Sequence, residues 1–89
     1  MELPRPRFRL GRVLATPGAL DTGVALSALL IRHHAGDWGN VCADDAAANE
    51  ASLLDGSRLV SAYETDAGCL WIITEADRSS TTVLLPSEY

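Results

Sequence analysis

Residues 57–85, SRLVSAYETDAGCLWIITEADRSSTTVLL, hold three short runs rich in β-branched and aromatic residues. The runs are Ser57–Glu64, Cys69–Glu75 and Thr81–Leu85, and side chains of this kind fit a pleated, half-buried surface. Thr65-Asp66-Ala67-Gly68 joins the first two as a hairpin, and Ala76–Ser80 turns the chain again. Pro86 lacks an amide hydrogen and ends the third run. Apolar residues fall on both faces of the strands: Leu59, Tyr63, Trp71 and Ile73, but also Val60, Leu70 and Ile72. The pattern predicts an antiparallel meander with one face on helices. Its other face either bends over a further strand or meets a partner.

Upstream of the meander the pattern changes period. Phe8 to Ala15 reads as a strand, with Gly11 as a bulge before Val13. Thr16-Pro17 starts a helix, with a hydroxyl at the N-cap and proline at the first helical position. Gly23 breaks that piece. From Val24 to His34, Leu26, Leu29, Leu30 and His33 recur at i, i+3, i+4, i+7 and define one helical face. Val24, Ala28 and Ile31 lie opposite, so at least one of Val24 and Ile31 is expected to be exposed or in a contact between chains. Gly36 suits the position past the helix end, and Asp37-Trp38-Gly39-Asn40 makes a turn.

Ala43 to Leu54 reads as a further helix, ended by Asp55-Gly56, with Asp44 and Asp45 opposing the positive end of its dipole. Ala43, Ala46, Ala47, Leu53 and Leu54 form its apolar stripe, and Asp44, Asp45, Asn49, Ser52 and Asp55 the other side. Glu50 falls within the stripe. A buried carboxylate needs a donor, so Glu50 is expected to be partly buried against Arg58 or a backbone amide. The expected architecture is α+β, in the order β-α-α-β-β-β: a small antiparallel meander of three to four strands with two to three helices on one face. Residues 1–7 read as an exposed basic arm and residues 8–89 as one domain.

The 89 residues suffice for one core but not for a core plus a deep cleft. No apolar run is long enough to span a membrane, and the basic start is not followed by the apolar stretch of a signal peptide. Two cysteines, Cys42 and Cys69, do not make a secreted disulfide framework, so a reduced, cytoplasmic setting is expected. The chain has seven arginines, no lysine and a net charge of −5. Residues 1–12 carry +3 and residues 37–77 carry −8. Such an acidic body attracts basic surfaces and repels nucleic acid; it also serves solubility.

Sites for chemistry are sparse. His33 and His34 point about 100° apart on a helix and cannot easily share a metal, and no further zinc ligands are spaced around them. Cys42, near a helix N-terminus, has no histidine placed by sequence to activate it. Thr74 to Ser80 concentrates charge and hydroxyls, a composition that a hydrogen-bonded turn with a surface ion pair accounts for. No glycine-rich phosphate loop is present. No catalytic residue, metal or cofactor is expected. Trp38, in its turn, is either a lid on the core or an exposed anchor.

The stretches LGRVLATPGAL (10–20), RHHAGDWG (32–39), ADDAAAN (43–49), LVSAY (59–63) and WIITEADRSSTTVLLPSEY (71–89) resemble a group of short bacterial proteins of plasmids and integrated elements. These are often labelled plasmid-related proteins or restriction-endonuclease subunits. The last stretch is the most specific; Thr22–Ile31 departs from the group, whose helix there is more polar. The resemblance carries no catalytic residues. It implies a non-enzymatic inhibitor of a defence nucleoprotein complex, anti-CRISPR-like and directed at a type I system. A mobile-element accessory protein is the alternative, and a small enzyme ranks last. The expected partner is a protein subunit of a CRISPR or restriction effector complex, with no direct nucleic-acid or membrane contact. The chain itself would be a monomer or weak homodimer. Expected partner-binding residues are Asp44, Asp45, Asp55, Glu64, Asp66, Glu75 and Asp77, with Trp38 and Trp71.

Overall fold

The computed structural model describes residues 5–89. Its elements are β1 (Arg12–Ala15), α1 (Pro17–Asp21), α2 (Leu26–His34), α3 (Ala43–Asp55), β2 (Leu59–Thr65), β3 (Gly68–Thr74) and β4 (Ser80–Leu84), closed by a 3-10 turn, Pro86–Glu88. The α+β order read from the sequence is the observed one. The sheet order is β1-β4-β3-β2. The meander β2-β3-β4 is antiparallel, while β1 lies parallel to β4, Arg12 opposite Ser80 and Ala15 opposite Val83, so the sheet is mixed.

Alternation along the strands sends Leu59, Ser61 and Tyr63, Leu70, Ile72 and Thr74, and Thr81 and Val83 to one face, and all are buried. Ala19 of α1 and Leu29 of α2 close over this face, flanked by Val24, Leu26, Leu30 and Leu85. Burying these side chains is the main favourable term, at about 1.5–3 kcal/mol for each large aliphatic or aromatic one. Val24 is half-buried and Ile31 is exposed, in line with the expectation for the outer face of α2. On the opposite face Trp71 meets the Tyr89 ring edge-on at 5.6 Å, and Arg58 donates to the Tyr89 hydroxyl.

The expected strand from Phe8 is shorter, Arg12–Ala15. The segment before it is held by side chains instead. Phe8 packs against the rings of His33, His34 and Trp38, and its carbonyl accepts from His34 Nε2. Of the expected arm, residues 1–4 lie outside the described residues; Arg7 is tied down, its amide donating to the His34 carbonyl.

The face of α3 differs most from its sequence reading. Asn49 and Ser52 turn inward, and Leu54 is 92% exposed. The cause is where α3 packs: it flanks the outer edge of β2, which offers unpaired backbone groups rather than an apolar surface. Asn49 serves that edge as a strand would, Nδ2 donating to the Val60 carbonyl at 2.7 Å and Oδ1 accepting from the Val60 amide at 3.0 Å. Further along, the Ala62 amide donates to the Trp38 carbonyl, the Asn40 amide to the Ala62 carbonyl, and the Glu64 amide to Asn40 Oδ1. Gly39, at φ +74°, makes this approach possible, because a Cβ there would strike the Ala62 carbonyl and the Tyr63 ring. Every outward polar position along β2 from Val60 to the Glu64 amide is thus engaged.

Glu50 does find donors, but it is exposed and they are not Arg58. Arg7 donates to it through Nη1 and Nη2 at 3.0 and 2.9 Å, and Trp38 through Nε1 at 2.9 Å. Arg58 pairs with Glu75 instead.

Candidate functional site

The most polar part of the interior is a line of hydroxyls around His33, which is fully buried. Its Nδ1 meets Ser61 Oγ and its Nε2 lies 2.9 Å from Thr74 Oγ1. Thr74 Oγ1 is 2.7 Å from Thr81 Oγ1, and the Thr81 hydroxyl donates to the Leu10 carbonyl. That carbonyl can only accept, so it fixes every proton behind it. The Thr81 hydroxyl donates outward, Thr74 donates to Thr81, and His33 donates from Nε2 to Thr74. Nδ1 is then bare and accepts from Ser61. Burial, with His34 adding a smaller effect, pulls the His33 pKa down to about 4. The pair Ser61–His33 superficially resembles a nucleophile and its base, yet both are 0% exposed and no substrate could reach them. The network staples the segment before β1 to α2 and three strands.

Among the described residues no three metal-ligating side chains cluster. Cys42 is exposed, Cys69 half-buried, and both are free. Glu75 and Asp77 line a shallow depression with Ala76 and Ser79, and neither histidine lines it. The turn there is hydrogen-bonded, as its composition suggested. Arg78 takes a left-handed backbone, φ +60°, and its guanidinium donates to the carbonyls of Ser57, Glu75, Ala76 and Ser52.

The expected partner-binding residues separate into two groups. In the first, the side chain is engaged within the chain by a hydrogen bond, an ion pair or packing. Asp55 accepts from the Ser57 amide and Asp77 from the Ser79 amide, and these bonds to serine hold both carboxyls below the usual range. Glu75 pairs with Arg58 at 3.4 Å. Trp38 is 7% exposed, hence a lid, stacked on Phe8. Trp71 is half-buried under Tyr89.

The second group is Asp44, Asp45, Glu64 and Asp66, all exposed and without an ion pair among the described residues. The topology brings Glu64 and Asp66 to one end of the molecule, and Asp44 and Asp45 to the start of α3. Glu64 and Asp66 belong to the β2–β3 hairpin. Asn40, bonded to Glu64, lies two residues before the N-cap of α3, so α3 starts from the hairpin side of β2, and Asp45 of its first turn lines a groove with Asn49, Arg58 and Val60. Across the tip, Thr22, Gly23 and Val24 share an open depression of about 660 Å3 with Glu64, Thr65, Asp66 and Ala67. Exposed Asp21 ends α1 just before it. Sequence reading missed Asp21, since nothing local signals that the α1–α2 connection meets a hairpin more than forty residues on. At the opposite end of the sheet, where Arg12 pairs with Ser80, Arg9 and Arg12 are exposed and meet no carboxylate among the described residues. No helix among them is long and apolar enough to cross a membrane.

No family model, no curated protein and no solved structure matches the chain.

Proposed function

We propose that this chain is a non-enzymatic, cytoplasmic protein-binding inhibitor of a bacterial defence nucleoprotein complex, anti-CRISPR-like and directed at a type I system. It presents Asp44, Asp45, Glu64 and Asp66 to a basic subunit and competes with phosphates for that subunit's arginines and lysines. The observation that carries this reading is the sorting of the carboxylates. Asp44, Asp45, Glu64 and Asp66 form no ion pair among the described residues, whereas Glu75 pairs with Arg58 and the carboxylates of Asp55 and Asp77 accept backbone hydrogen bonds. Solvated carboxylates contribute little to stability and much to the steering of an oppositely charged partner. A mobile-element accessory role would use the same surface on a different partner.

Reversal of Asp44, Asp45, Glu64 and Asp66 together to arginine should slow association with the target subunit roughly tenfold or more and relieve inhibition in a plasmid-interference assay. Circular dichroism should show an unchanged fold. Rising salt should weaken the wild-type complex, and Asp77→Asn should bind as wild type. Binding indifferent to both the reversals and salt would sink the acidic-surface mechanism. Binding without inhibition would favour the accessory role.

A further inference from the structure

The two edges of the sheet are treated oppositely. The edge at β2 is filled by Trp38, Asn40 and Asn49, as described above. The edge at β1 is bare. The amides of Arg12 and Thr16 donate inward, to the carbonyls of Ser79 and Val83. By the alternation of a parallel ladder, Val13 and Ala15 turn their N–H and C=O outward. None of those four groups meets a partner among the described residues, and Val13 and Leu14 are 49% and 42% exposed.

We infer that the open edge of β1 pairs antiparallel with β1 of a second copy of this chain, continuing the sheet across a two-fold axis. The self-match follows from the register. With Leu14 opposite its own copy, Val13 and Ala15 of each chain exchange both backbone bonds with Ala15 and Val13 of the other. Arg12 then falls opposite Thr16. The Thr16 hydroxyl is bonded to the exposed carboxylate of Glu88. Each copy's Arg12, which has no carboxylate of its own among the described residues, therefore meets the Glu88 carboxylate of the other. No like charges face each other, and two leucines meet on the axis. Pro17 ends the pairing at Thr16, so the contact is short and belongs with small, weak, reversible interfaces. This surface lies apart from the hairpin-end carboxylates, so its failure leaves the proposed inhibitory role untouched, and the reverse also holds.

Sedimentation of the full chain from micromolar to millimolar concentration should show the mass rising from 9.5 kDa toward twice that value, with added salt reducing the rise. Over the same range the Val13 and Ala15 amides should be the β1 amides whose NMR shifts move and whose exchange slows. Val13→Pro removes only an outward amide hydrogen, a change an edge strand tolerates. It should leave the circular dichroism unchanged and the chain monomeric. Leu14→Glu, which sets like charges on the axis, should do the same without touching the backbone. A chain monomeric to millimolar concentration would overturn the inference, as would a dimer that survives both variants.

Discussion

Replacing His33 with alanine should cost about 3–5 kcal/mol, the range for removing a large, fully buried side chain and stranding its hydrogen-bond partners. Typical domains are stable by roughly 5–15 kcal/mol, so much of the fold would be lost. The ring spans α2, β2 and β3, and its removal leaves Ser61 without an acceptor and Thr74 without a donor. The pH dependence is the sharper test. The folded pKa, about 4, lies below the ordinary 6.5, so between those values the unfolded chain binds a proton that the folded chain does not. Stability is therefore full above pH 6.5 and falls as pH drops toward 4, by up to about 3 kcal/mol. Asp37 and Glu50, held below their ordinary 3.8 and 4.5 first of all by hydrogen bonds from Arg32 and Arg7, begin to lose their contributions only near the bottom of that window. Urea titrations at pH 7.5, 6, 5 and 4.5 should show the decline in the wild type and a flatter profile in His33→Gln. An equal slope in the two would mean that His33 is not the group responsible.

Asn49→Ala should cost about 1–3 kcal/mol, the penalty for leaving a part-buried amide and carbonyl unpaired. A helix residue that loses only a surface hydrogen bond would cost far less, and alanine has the better helix propensity, so the sign alone is informative. Asn49→Asp separates the two bonds. A carboxylate can still accept from the Val60 amide but opposes the Val60 carbonyl, so this variant should be about as unstable as the alanine one at neutral pH. It should recover in part in acid, where the protonated group donates again. Chemical denaturation would read both. A loss under ~0.5 kcal/mol for Asn49→Ala, the range of an ordinary surface change, would refute the role assigned to this side chain.

The same residue shows where sequence reading succeeded and where it could not. Local chemistry was legible: Thr16 caps α1, Gly56 ends α3 in the left-handed conformation, and Asp66-Ala67 turn the hairpin. These features depend on neighbours a few residues away. The face of α3 was not legible, because an amphipathic pattern presumes an apolar counter-surface. Against a strand edge the useful inward residue is an amide, so Asn49 and Ser52 took the buried positions and Leu54 was left in solvent. The parallel placement of β1 beside β4 was equally hidden, since it joins residues almost seventy positions apart. Glu50 stood out correctly as anomalous, but its partner Arg7 lies 43 residues away in a segment that reads as free. Of the candidate site, the acidic residue types were visible. The engagement of Asp55, Glu75 and Asp77, and the gathering of Glu64 and Asp66 with Asp21 at one end, emerge only from the tertiary structure.

The sealed edge at β2 has a meaning in the language of polymerisation. A β-sheet protein with two usable edges is a bifunctional monomer, and each addition regenerates a growing end, which is how cross-β fibres elongate without limit. Here Trp38, Asn40 and Asn49 remove one of the two functionalities. When a second copy of this chain adds at β1, the product has both outer edges sealed, so growth stops after a single coupling and the stoichiometry is finite by construction. Asn49 in this sense is one of three end-capping groups, and a chain that lost it would bare the Val60 amide and carbonyl, the first part of a second growing end.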